Sequence, residues 1–184
     1  MANLRNLMWL GLHGNQFTGN VPEWLGTLNS LQVMRLENNN FAGFIASSLS
    51  NLSQLSYLRL QSNKLEGHLT ASIGNLQNLQ VCNFSNNLLH GGIRKEMFGI
   101  PAILRIDLSS NHLHGQLPNE IGNAKVLGYL NISSNMLFGD IPTTIGKCEN
   151  CYPTGSPAQV SRPLTSLADH NRARLRLSDH THYD

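Results

Sequence analysis

The chain has 184 residues, room for one domain of ordinary size. Leu supplies 30 of them and Asn 22, while charged residues make up only 13 % and the net charge is +2. So small a charge argues against an electrostatic nucleic-acid binder, and no apolar run reaches the ~20 residues that a membrane helix needs. The opening stretch Met1 to Asn20 contains Asn3, Arg5, Asn6, His13, Gly14 and Asn15, which is too polar for a signal peptide. A chain this rich in Leu and Asn and this poor in charge points to an internal repeat.

The repeat has a step of 24 residues and runs in strict phase. The first unit starts at Leu4, carries Leu10 and Leu12 two apart, then Asn15 and Gly19, and ends in Pro22-Glu23-Trp24-Leu25. The second, from Leu28, has Met34, Leu36, Asn39 and Gly43 at the same places. The third, from Leu52, has Leu58, Leu60, Asn63 and Gly67; the fourth, from Leu76, has Cys82, Phe84, Asn87 and Gly91. The fifth, from Ile100, has Ile106, Leu108, Asn111 and Gly115. The sixth, from Ala124, has Leu130, Ile132, Asn135 and Gly139, then Pro142-Thr143-Thr144-Ile145.

One such unit cannot bury its apolar rows alone, whereas stacked units share a continuous core. The apolar pair two residues apart has strand periodicity. The spacing therefore predicts an α/β-type solenoid with one curved parallel sheet of about six short strands. The Pro-led stretches predict short 3-10 pieces among turns on the convex side, with little α-helix. The Asn row (Asn15, Asn39, Asn63, Asn87, Asn111, Asn135) stands where the chain turns out of the strand, and its amides suit backbone groups left over at a buried bend. We expect that ladder to be structural. The Gly row marks a tight bend or a close backbone approach.

The stretch Leu55 to Leu65 (LSYLRLQSNKL) fits the leucine-rich-repeat pattern, and Ala124 to Gly146 (AKVLGYLNISSNMLFGDIPTTIG) resembles its plant-type form. The specific mark is the Gly-x-Ile-Pro piece, kept as Gly139-Asp140-Ile141-Pro142 and varied as Gly115-Gln116-Leu117-Pro118 and Gly19-Asn20-Val21-Pro22. The second, third and fourth units have Ala46, Thr70 and Arg94 in place of the proline. The resemblance covers residues 4–147 and is strongest to the ectodomain of a plant receptor-like kinase or receptor-like protein. It implies a non-catalytic module at the cell surface or outside the cell, with a peptide or protein ligand and a co-receptor as partners. Two alternatives share the repeat: a secreted inhibitor similar to polygalacturonase-inhibiting proteins, and an inactive remnant of a receptor kinase. The family usually has a Cys-containing cap ahead of its repeats and, in receptor kinases, a membrane helix and kinase domain, which this sequence does not contain.

Binding residues on a solenoid line the concave sheet. The outward strand positions of the first three units carry Trp9, His13, Arg35, Glu37, Tyr57, Arg59 and Gln61, a mix of aromatic and arginine side chains suited to an interface. Arg35 and Arg59 on adjacent rungs suit a carboxylate, although Glu37 on the same face offers Arg35 an internal partner. The fifth and sixth units present mainly short polar groups. Three glycosylation sequons begin at Asn51, Asn83 and Asn131. His90 and His114 occupy equivalent positions of adjacent units, with Glu66 one unit before. No Ser/His/Asp arrangement, phosphate loop or carboxylate pair points to catalysis, and we expect no cofactor and no metal. Cys82 falls in a core row, and Cys148-x-x-Cys151 is a single pair without a second. Residues 148–184 enter a seventh unit and then leave the repeat phase, which predicts a broken repeat and a disordered tail that is not an evolved domain.

Overall fold

The computed structural model describes residues 4–147 and the pair 174–175. Each unit makes the same circuit: a short strand, a second short strand, then a 3-10 turn. The first unit gives β1 (Trp9–Gly11), β2 (Thr18–Asn20) and η1 (Glu23–Thr27). Then follow β3 (Val33–Arg35), β4 (Asn40–Phe44), η2 (Ser47–Asn51), β5 (Tyr57–Arg59), β6 (Lys64–His68) and η3 (Ala71–Asn75). The remaining units give β7 (Val81–Asn83), β8 (Leu88–Gly91), η4 (Lys95–Gly99), β9 (Arg105–Asp107), β10 (His112–Gly115) and η5 (Asn119–Asn123), then β11 (Tyr129–Asn131), β12 (Met136–Leu137) and η6 (Thr143–Lys147). The stretches expected to be 3-10 after Pro22 and Pro142 are η1 and η6. Each turn closes on a bond of the Leu25 N–H to Pro22 O type, 3.0 Å in the first unit.

The odd-numbered strands form one parallel sheet in the order β1-β3-β5-β7-β9-β11, joined at its far edge by the antiparallel pair Arg174–Leu175 (β13). The even-numbered strands form a second parallel sheet, β2-β4-β6-β8-β10-β12. The sheet read from the apolar pairs is thus one of two. The second contains the row glycines, whose φ values of +71° to +93° from Gly43 to Gly115 suit a residue without a Cβ. A Cβ on Gly67 would lie 2.3 Å from the Phe44 ring. The tail expected after residue 147 falls outside the described residues, apart from β13.

The two sheets differ in stagger. In the first, partners are 24 residues apart, as in Trp9 with Val33 and Val33 with Tyr57. In the second they are 22 apart, as in His68 with His90 and His90 with His112. His90 therefore lies beside His68 and His112, not beside its sequence equivalent His114, whose partner is Met136. The asparagine row produces this offset. The Asn87 amide donates from Nδ2 to Leu60 O at 3.0 Å and Phe84 O at 3.1 Å, and its Oδ1 accepts the Leu65 N–H at 3.0 Å. Asn39, Asn63, Asn111 and Asn135 repeat this pattern. One side chain thus takes a backbone place between two units just before the second strand begins, and that strand starts two residues out of step. The residue before each ladder asparagine is left-handed: Gly14 at φ 69°, Asn38 at 56°, Ser62 at 57°, Asn86 and Ser110 at 55°.

The core lies between the sheets and the 3-10 turns. Leu31, Met34, Leu36, Leu52, Leu58, Leu60 and Phe84 are fully buried within it. Leu7, Leu10 and Leu12 of the first unit are partly buried against it. Asn87→Ala leaves the buried Leu65 N–H without its partner, while Leu60 O and Phe84 O keep the amides of Asn63 and Asn111, and is expected to cost about 2 kcal/mol. Asn15→Ala, where the amide is exposed and reaches only Leu12 O and His13 O of its own unit, is expected to cost under about 1 kcal/mol. Urea unfolding of the two variants measures the difference.

Candidate functional site

The first sheet sets its outward side chains in columns. Trp9, Val33, Tyr57, Val81, Arg105 and Tyr129 share one line, and Gly11, Arg35, Arg59, Asn83, Asp107 and Asn131 the next. The Gly14 N–H donates to Glu37 O and the Asn38 N–H to Gln61 O, both at 3.0 Å, so His13, Glu37 and Gln61 continue as a third line. The structure therefore gathers all seven residues singled out in the first three units on one face. Parallel strands lie about 4.8 Å apart, which makes neighbouring columns contiguous.

Trp9 is 52 % exposed. Its indole lies over Gly11, where a Cβ would stand 2.1 Å from the ring. The missing side chain at Gly11 is thus what lets the ring lie along the sheet. Tyr57 is exposed two strands away.

The two arginines are not equivalent. Arg35 donates from Nε and Nη2 to Glu37 Oε1 at 2.8 and 2.6 Å. Glu37 is only 2 % exposed, and burial of a carboxylate demands such a partner. Arg35 is committed to that task, while the guanidinium of Arg59, its register partner, has no hydrogen bond or ion pair among the described residues. Of a two-armed carboxylate clamp, Arg59 is the free arm. Glu37 Oε2, His13 Nδ1 and Gln61 Oε1 are buried atoms without hydrogen-bond partners among the described residues, and they occupy the same position of consecutive units. The first three units thus hold polar capacity that the fold itself does not use.

The fifth and sixth units behave in the opposite way. Asp107 Oδ1 accepts the Ser109 N–H and hydroxyl at 3.1 and 2.7 Å, and its Oδ2 accepts the Tyr129 hydroxyl at 3.3 Å and Asn131 Nδ2 at 3.4 Å. The Arg105 guanidinium sits 4.6 Å from the centre of the Tyr129 ring. Burial, then the Asp107 charge, raises the Tyr129 phenol above its ordinary range. The same two causes in the same order push the Cys82 thiol well up, as suits a core thiol. Residue type alone did not reveal this cluster; its only sequence signal is the 24-residue alignment of Arg105 with Tyr129 and of Asp107 with Asn131.

The three sequons fall in two settings. Asn51 ends η2, away from the first sheet, and is exposed. Asn83 and Asn131 are half-buried in the first sheet, and each accepts at Oδ1 from the N–H and hydroxyl of its own sequon serine, Ser85 or Ser133. Among the described residues no group of three or more His, Cys, Asp or Glu is arranged to hold a metal ion, and no helix is long and apolar enough to cross a membrane.

The leucine-rich-repeat family pattern matches residues 5–65, and a single-repeat form of it matches 103–124 and 127–148. Comparison with curated proteins gives no match. Among solved structures, the chain is similar to the plant peptide hormone receptor RGFR1 in complex with RGF2, at 34 % identity and a TM-score of 0.76, over 78 % of this chain and 23 % of that one. It is similar to the Arabidopsis receptor kinase HAESA in complex with the peptide hormone IDA and the co-receptor SERK1, at 31 % identity and 0.75, over 78 % of this chain and 24 % of that one. It also matches a chain of the BIR3–SERK2 complex from Arabidopsis thaliana at 32 % identity and 0.65, over 71 % of this chain and 69 % of that one. The chain therefore spans about a quarter of the length of the two hormone receptors, at 23 % and 24 %.

Two outcomes test the site as built. Arg35→Ala leaves a buried carboxylate unpaired and is expected to cost about 2 kcal/mol in urea unfolding. Asp107→Asn removes a charge that opposes Tyr129 ionisation, so phenolate absorbance should appear at lower pH in that variant. Because the raised phenol favours the neutral form in the folded state, the parent chain should lose stability as pH rises past the ordinary tyrosine range.

Proposed function

The chain belongs to the plant-type leucine-rich-repeat family, and from that premise we propose that it is a non-catalytic recognition module of a receptor-like protein, exposed outside the cell, which binds an extended peptide or a peptide-like segment of a protein across the first sheet. The observation that carries this reading is the contrast along that sheet. The first three units leave an exposed indole, an exposed tyrosine ring and a free guanidinium uncommitted, while the later units satisfy their own polar groups. A ligand lying across the rungs meets Trp9 and Tyr57 as flat apolar anchors, the residue type that dominates interface energetics. Arg59 is the seat for a ligand carboxylate, since a charge-assisted bond to a free guanidinium is among the stronger polar contacts available.

A co-receptor as second partner follows from the similarity to receptor complexes, and its surface is left to the remaining units. Asn51 is the sequon that suits a glycan, because a sugar there stands clear of the first sheet. A glycan on Asn83 or Asn131, carried on Nδ2, stands on the first sheet and crowds the ligand face.

The test is selection of short synthetic peptides with free carboxyl termini on the purified chain, followed by affinity measurement. Trp9→Ala, Tyr57→Ala and Arg59→Ala are each expected to weaken the selected peptides by roughly tenfold or more. Amidating the peptide carboxyl terminus should cost the parent chain affinity and the Arg59→Ala variant little. Unchanged affinity in all three variants sinks the assignment of this face.

A further inference from the structure

The first sheet ends in a strand that does not belong to the repeat. Beyond β11 the repeat phase sets a seventh strand at Pro153-Thr154-Gly155, with Thr154 in the row of Leu130 and Ser156 in that of Ile132. Neither polar residue suits a core row, and Pro153 lacks the N–H that Tyr129 donates to Leu104 O at the same place. The strand beside β11 is β13, which runs antiparallel to it, with Arg174 in register with Asn131 and Leu175 with Leu130. A parallel strand follows its preceding turn within a few residues, as β11 follows η5. An antiparallel one has to enter from the far end, and residues 148–173 supply the length for that.

The edge that β13 meets has backbone groups to offer. The Tyr129 N–H donates to Leu104 O at 3.1 Å and Asn131 O accepts the Leu108 N–H at 2.8 Å, so both residues bond back toward β9 and its flanks. Successive residues of a strand bond to opposite sides, so the N–H and C=O of Leu130 face away from β9, toward β13. Leu130 is 3 % exposed, while Leu10, at the same place on β1 at the other end of the sheet, is only partly buried. The core row is better covered at the β11 end.

The sequence around β13 keeps this register. Arg172-Ala173-Arg174-Leu175-Arg176-Leu177 alternates arginine with apolar residues, the period of a strand. Carried along from the pairs at Asn131 and Leu130, the register sets Ala173 at Ile132 and Leu177 at Gly128, in line with Leu175 at the core residue Leu130. It sets Arg172 at Ser133 and Arg176 at Tyr129, in line with Arg174 at Asn131, which are the three outward columns of the sheet. Every apolar residue falls on an inward position and every arginine on an outward one, and a slip of one residue reverses both.

We propose that residues 172–177 are the closing strand of the first sheet, a segment of this chain that caps the core in place of a seventh repeat. The segment covers the apolar row at β11 and takes up the Leu130 backbone groups, which an open edge strand offers to any extended segment of another protein. This inference stands apart from the ligand reading, which concerns the first three units.

The experiment follows amide hydrogen exchange in the full chain by NMR. The Leu130 N–H is expected to exchange slowly, as that of Leu58 does inside the sheet. Leu175→Asp should speed exchange at Leu130 by roughly tenfold or more and leave Leu58 unchanged, because the edge opens while the interior stays folded. Arg174→Gln, at an outward position, should leave both unchanged. If Leu175→Asp releases Leu58 as well, Leu175→Ala makes the same comparison with a smaller change. Free exchange at Leu130 in the parent chain overturns the proposal. So does equal Leu130 protection in the parent and the Leu175 variants, or a loss in Arg174→Gln as large as that in Leu175→Asp.

Discussion

Every other feature of this fold hangs on one interaction, the side-chain amide that each ladder asparagine inserts between consecutive units. A parallel solenoid has to turn sharply after each strand, and a turn facing the core leaves carbonyls and N–H groups with no water to bind. The amide answers both needs at once. Its two hydrogens reach carbonyls of its own and the preceding unit, and its oxygen takes an N–H from the preceding second strand. Leucine supplies the driving force for stacking, but leucine is non-directional; the amide fixes the distance and the phase at which one unit meets the next. It also leaves the outward side chains free to vary, because where it touches outward residues such as Glu37 and Gln61 it uses only their backbone carbonyls.

That freedom is used unevenly. In the C-terminal units the outward residues spend their polar capacity on one another around Asp107, which makes that stretch of sheet a finished surface. In the N-terminal units Glu37 consumes Arg35 and still has a bare oxygen, Arg59 is unclaimed, and Trp9 lies flat over a glycine. A surface that leaves hydrogen-bonding capacity unspent is poised to exchange water for a partner, whereas a surface that has already paired its groups has little to gain.

The solenoid, the first sheet, the unit boundaries and the 3-10 turns were legible in the sequence because each rests on a period, and a period can be read from six repeats. The candidate residues on the first sheet were legible as a set for the same reason, since a step of 24 is also the register of that sheet. The second sheet was not. Its strands have little apolar alternation, with Lys64, Glu66 and His68 outward and a glycine among the inward positions, and its partners lie at a step that no row of the sequence displays. His90 was therefore aligned with His114 when its neighbours are His68 and His112. The left-handed Ser62, Ser110 and Ser134 were equally invisible, because serine carries no signature of positive φ and is held there by the turn around it. The pairing of Arg35 with Glu37 was readable as a possibility from their spacing; that it buries the acid and frees Arg59 is a matter of depth, which spacing does not report.

The different stagger of the two sheets bears on how such a chain diversifies. When a unit is duplicated in phase, the first sheet simply gains another copy of each column, so like residues stack on like. On the second sheet the same duplication brings together residues two places apart in the unit, so it creates pairs that neither parent copy contained. A change to one residue of the repeat is thus propagated as a homogeneous stripe on one side of the molecule and as a diagonal on the other. Ligand surfaces that need a uniform track and contact surfaces that need mixed chemistry can in this way arise from a single repeated segment, without either constraining the other.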